Sequence, residues 1–204
     1  MRIQFSKKDD LRFIGHLDFL RVFQQTIRRA ALPAAYSQGF NPHILLSFAL
    51  PLPLGMESEN DYADLVLEEK PTDIRERLNV CAPPGLYIKS VYPTENNAAS
   101  VVTEADYAFY PNGKDFDIEK LLNTEAIFIS KKTKSGIKDV DIRPDIIDLK
   151  TADNFIIMRL SAGSSRFLHP LTAAELLTDE KPSPAAIRRL ELFQPDEKGG
   201  SIPL

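Results

Sequence analysis

The stretch RIQFSKKDDLRFIGHLDFLRVFQQTIRRAALP, Arg2 to Pro33, changes its hydrophobic period once, and that change decides the fold. Its opening, RIQFSK, alternates apolar and polar residues as a half-buried strand does. From about Gly15 to Ala31 the apolar positions Leu17, Leu20, Phe23, Ile27 and Ala31 recur at three- and four-residue spacing. That spacing predicts a helix with this set against a core, ended at Leu32-Pro33 because the residue before proline resists helical geometry. Asp18, Arg21, Gln25, Arg28 and Arg29 share the opposite, basic arc. His16 projects beside Leu20, Phe23 and Ile27, which predicts a buried imidazole satisfied by a backbone carbonyl.

Working outward, ILLSFALPLPLG (44–55) reads as an apolar strand broken by prolines. NDYADLVLEE (60–69) alternates Tyr62, Asp64 and Val66 with Ala63, Leu65 and Leu67. PTDIRERLNVCA (71–82) has Pro71 suited to a helix start and Ile74, Leu78 and Cys81 inward, and GLYIKSVYP (85–93) reads as a strand. The order β-α-β-β-α-β predicts a ferredoxin-like unit over residues 1–93. TENNAAS (94–100) is small and polar, as a linker is. Residues 101–204 repeat the pattern more loosely. ADYAFYP, NFIIMRLS and IRRLELF are strands, DFDIEKLLNT and PLTAAELLT helices, and AIFISKKT with KDVDIRPDIIDLK a strand region. The expectation is an α+β protein of two tandem ferredoxin-like (βαββαβ) halves, with antiparallel sheets and helices on one face.

A chain of 204 residues, 43% hydrophobic and 26% charged, is of ordinary globular composition. It has no apolar run of the roughly 18 residues that suggest a membrane span. The start, MRIQFSKKDD, lacks the apolar core of a signal peptide, so a cytoplasmic location is expected. One cysteine, Cys81, and three scattered histidines argue against a disulfide framework or a self-contained metal site. No phosphate-cradling glycine motif is present, and no cofactor is expected. Net charge is −4, but residues 1–50 hold seven Lys/Arg against three Asp. A basic N-terminal face on an acidic body suits a polyanion, and equally an ordinary solvated surface.

The candidate site residues lie on that face. Arg21, Arg28 and Arg29, at spacings of seven and eight, line one helical side, and guanidinium forks suit phosphate. The alternative is pairing with Asp18 and nearby carboxylates. The stretch YSQGFNPH, Tyr36 to His43, adds a loop in which Gly39 permits positive φ and Asn41-Pro42 favours a turn. Phe40 either caps the core or stacks on an exposed base. Ser37, Gln38 and Asn41 offer polar contacts to base edges or phosphate, and His43 is free to act. A second basic cluster, Lys131, Lys132, Lys134, Lys138 and Arg143 around Gly136, reads as an RNA-clamping hairpin or a solvated tip. A His16/His43 acid–base pair would make a metal-independent ribonuclease.

The run from Leu11 to Ser58 resembles the radical-SAM-linked protein family. Its pattern, Ser-His-Leu-Asp, then Arg, Arg-Arg and Ser-x-Gly-Phe-Asn-Pro-His, is matched here by His16, Leu17, Asp18, Arg21, Arg28, Arg29, Ser37, Gly39, Phe40, Asn41, Pro42 and His43. Gly15 stands where the family usually has Ser. KTKSGIKDVDIRP is similar to the family's second half. The resemblance implies a partner, a B12-binding-type radical SAM protein, and no assigned activity. A single cysteine cannot hold the iron–sulfur cluster of a radical SAM enzyme, which makes this chain the accessory piece. A looser likeness, at the level of fold, is to the RNA-processing proteins of CRISPR systems. Together these predict a non-catalytic accessory protein that binds RNA (tRNA or rRNA) and works with a radical SAM enzyme. The ribonuclease and a pure protein-docking module are the competing classes.

Overall fold

The computed structural model describes residues 1–113, 116–133, 136–178 and 180–204, with the backbone alone for 131–133. Lys134, one of the expected binding residues, lies outside the described residues. The chain is a mixed α+β protein built on one mostly antiparallel sheet, with five α-helices among the described residues.

The first run is β1 (Arg2–Lys7), α1 (His16–Arg29), β2 (Leu46–Phe48), β3 (Glu57–Leu65), α2 (Ile74–Cys81) and β4 (Leu86–Tyr92). Its strands lie in the order β4-β1-β3-β2 with every neighbour antiparallel. Ile3, Phe5, Ala63, Leu65, Leu86 and Ile88 form one buried face beneath α1 and α2, as period-two alternation requires. After a short α3 (Ala98–Val101) come β5 (Glu104–Phe109), α4 (Ile118–Asn123), a hairpin of β6 (Phe128–Thr133) and β7 (Gly136–Asp141), β8 (Ile146–Ala152), β9 (Phe155–Ser161), α5 (Pro170–Thr178), β10 (Ile187–Pro195) and β11 (Ser201–Pro203). Here the order is β10-β5-β9-β8, again antiparallel throughout, and Leu121, Ala173, Ala174 and Leu177 of α4 and α5 pack on Ala105, Tyr107, Phe109 and Met158. The two runs join through a short parallel contact, Arg188↔Glu57 and Arg189↔Ser58, which makes the sheet continuous.

Three local readings differ from expectation. The core side of α1 is Phe19, Phe23, Thr26, Ile27 and Ala30, whereas Leu17 is 65% exposed and Ala31 lies past the helix with φ of +47°. The phase is set by ring packing, since Phe19 and Phe23 close on Phe5 and Phe48 at 5.1–5.8 Å. Thr26 is tolerated inside because its hydroxyl donates to the Val22 carbonyl at 3.0 Å. Secondly, only Leu46–Phe48 of the proline-broken stretch is strand. Each proline lacks the N–H that a ladder needs. Thirdly, the 94–100 segment is no loose tether. Asn97 caps α3, Ala98 is buried with its N–H on Asp64 at 2.6 Å, and Arg2 donates to the Asn96 carbonyl at 2.6 Å.

Candidate functional site

The Tyr36–His43 loop is the tip of a narrow hairpin that continues β2 past the end of β3. Ala34 bridges to Leu67, and Ala35 donates to the Val66 carbonyl at 2.9 Å. Leu45 then donates back to Ala35 at 2.9 Å, and Tyr36 bridges to Ile44. At the neck, Ser37 N–H donates to the His43 carbonyl at 2.9 Å, and His43 N–H donates to Ser37 Oγ at 3.1 Å. The same hydroxyl lies 2.8 Å from His43 Nδ1, so Nε2 is the ring nitrogen left open. Gly39 takes φ of +130°, a backbone that side chains resist. Gln38, Asn41 and His43 are exposed, and Phe40 is fully exposed, so the core-capping alternative for this ring is excluded.

The arginines of α1 have three different fates. Arg21 is held by Asp18 at 2.7 Å on the open surface. Arg29 donates to the Cys81 carbonyl at 2.9 Å, capping the end of α2, while Arg77 of α2 donates in return to the Ala30 and Ala31 carbonyls. Arg29 therefore ties two helix ends together. The Arg28 side chain is exposed and makes no hydrogen bond or ion pair among the described residues. The last turn of α1 lies at the end of the sheet where the Met1 ammonium donates to Leu65, which is also the end that carries the loop. Arg28 thus shares an end of the sheet with Phe40.

The remaining candidates are placed elsewhere. Arg143 spans the Leu122 and Ile146 carbonyls at 2.9 Å each and fastens α4 to β8. Lys138 is exposed on β7 opposite Lys131, and Lys132 pairs with Ile137 in the ladder. His16 is exposed, not buried, and meets Phe48 edge-on at 5.6 Å. His43 is tied to Ser37 instead, so the two histidines are not brought together.

Sequence reasoning missed a buried charge cluster at the junction of the two runs. Arg189 is 0% exposed and donates to Asp61 at 2.6 Å and to the Leu50 and Pro51 carbonyls at 3.0 and 2.8 Å. Asp61 is 5% exposed; burial pushes its carboxyl upward while Arg189 pulls it down. Lys7 is 2% exposed, its ammonium pushed downward by burial, and it donates to the Ile14 carbonyl at 3.1 Å. Beside them Tyr62 donates to Glu191 at 2.7 Å, and burial raises both groups above their ordinary values. The signal was present in the strand period. Lys7 follows Ile3 and Phe5, and Asp61 precedes Ala63 and Leu65, at inward-facing positions.

These features define an α+β protein with one sharply formed exposed loop and a charged interior seam. Over residues 1–170 the chain matches a bacterial family described as uncharacterized protein conserved in bacteria (DUF2344), and it belongs to that family. No curated protein matches it. Among the described residues no helix is long and apolar enough to cross a membrane, and no cluster of His, Cys, Asp or Glu is placed to hold a metal ion.

Proposed function

We propose that this protein binds RNA through the Tyr36–His43 loop and the adjoining end of α1, as a non-catalytic accessory to a modification enzyme. The observation that carries the reading is Phe40, fully exposed on a loop whose neck is fixed by three Ser37–His43 contacts. Exposing a whole phenyl ring is unfavourable in isolation, and a base stacked on it removes that surface from water. Gln38, Asn41 and His43 stand exposed on the same loop and offer polar groups, and Arg28 supplies an unspent guanidinium for backbone phosphate. The strand orders β4-β1-β3-β2 and β10-β5-β9-β8 support reading the chain as two ferredoxin-like halves. The radical SAM partner remains the expectation carried by the motif from His16 to His43, and co-purification of the two proteins tests it. A ribonuclease reading has less support, with His16 and His43 in separate surroundings.

The test is the salt dependence of binding to single-stranded RNA. Each neutralised phosphate contributes about −0.7 to the log–log slope. Arg28→Ala flattens that slope by about one contact and leaves the melting temperature unchanged. An unchanged slope removes Arg28 from the interface.

A further inference from the structure

The interior charges pose a question that the exposed loop does not answer. Arg189 and Asp61 neutralise each other at 2.6 Å, but Lys7, also buried, has no carboxylate within ion-pair distance among the described residues, and Asp61 acts on it only from further away. Among the described residues only one of its three donors is used, on the Ile14 carbonyl at 3.1 Å, and the Phe19 ring lies 4.7 Å from the ammonium. The set of Lys7, Arg189 and Asp61 therefore holds one net positive charge away from water, which is strongly unfavourable without a counter-charge.

A cleft opens onto this ammonium. Lys7, His16, Phe48, Leu52 and Asp61 are among the side chains lining it, and its volume of about 10 Å³ admits one water-sized atom. His16 stands exposed at its side with no hydrogen-bond partner among the described residues. Immediately before it, Gly15 caps α1 without a side chain, and no atom lies within 4 Å of where its Cβ would be. The N–H groups of the first turn precede the first intrahelical bond, Phe19 N–H to the Gly15 carbonyl at 2.9 Å, and add the positive end of the helix dipole.

We propose that this cleft is an oxyanion site, in which one oxygen of a phosphate or carboxylate group reaches Lys7 while His16 and the first-turn N–H groups of α1 bind its other oxygens. Asp61, which also lines the cleft, opposes an anion less than a free carboxylate would, because Arg189 donates to it at 2.6 Å. The site is independent of the RNA-binding reading and stands or falls separately from it.

The experiment follows the three histidine rings of the full chain by NMR during titration with inorganic phosphate and, separately, with acetate, at constant ionic strength. A saturable shift of His16, absent from His169, is expected with at least one probe. A response to phosphate alone assigns a phosphoryl ligand, and a response to acetate alone a carboxylate. Lys7→Met weakens the response at least about tenfold, the effect of losing a charged donor. Should Lys7→Met fail to fold, the backbone amides of Gly15 and Leu17 are followed in the exposed-site variant His16→Gln, where a similar weakening is expected. No saturable shift with either probe, a response at His43 alone, or binding that survives both variants overturns the proposal.

Discussion

The outer arc of α1 and the seam between the two runs are both rich in charge, and they teach opposite lessons. On α1 the charges are exposed, and Arg21 pairs with Asp18 where water already solvates both. In the seam, Arg189 and Asp61 are buried, at 0% and 5% exposed, and depend on each other. An exposed pair contributes little, about 0–1 kcal/mol, and its members are available to a ligand. A buried pair is little evidence of net stabilisation, yet losing one member leaves the other stranded. Charge on the surface is a candidate for function; charge in the interior is first a condition for folding.

The largest test of that contrast is Asp61→Ala. It leaves Arg189 buried without its carboxylate, and chemical denaturation is expected to show a loss of about 3–5 kcal/mol. A loss under about 1 kcal/mol means that water reaches the seam. A gentler test uses Glu191, which burial holds above its ordinary value. Its proton is bound more tightly in the folded chain than in the unfolded one. Its contribution to stability therefore falls as pH rises from the unfolded glutamate value through the folded one. Glu191→Gln keeps an acceptor for Tyr62 and mimics the protonated form. The stability of the variant relative to the parent is thus expected to rise with pH across that window, and a flat difference contradicts burial as the cause. The smallest effect is that of Arg21→Ala, expected to change stability by no more than about 0.5 kcal/mol. A larger loss makes Arg21 a structural residue.

Much of the fold was legible because period and proline placement are local signals. The helix His16–Arg29 ends before Leu32-Pro33, and β3 alternates Tyr62 and Asp64 against Ala63 and Leu65. The phase of α1 was not legible, since Leu17-Leu20 and Phe19-Phe23 both fit the helical period. Only the rings of Phe5 and Phe48 favour the second set. The loop was legible as a turn through Gly39 and Asn41-Pro42, but the full exposure of Phe40 depends on a hairpin neck no local signal describes. Arg29 and Arg143 read as binding groups, although their partners are carbonyls 52 and 21 residues away in sequence, at Cys81 and Leu122. In the seam the inward positions of Lys7 and Asp61 were legible in the strand period, but their partner was not: Asp61 and Arg189 are 128 residues apart.

The most direct test of the central claim is Phe40→Ala, measured for RNA affinity and thermal stability on the same preparation. With its ring wholly in solvent, Phe40 contributes nothing to the core. Binding to single-stranded RNA is expected to weaken by about 1–3 kcal/mol, the contribution of one stacked base, at an unchanged melting temperature. Unaltered affinity in a stably folded Phe40→Ala protein contradicts the claim that this loop is the RNA-binding site.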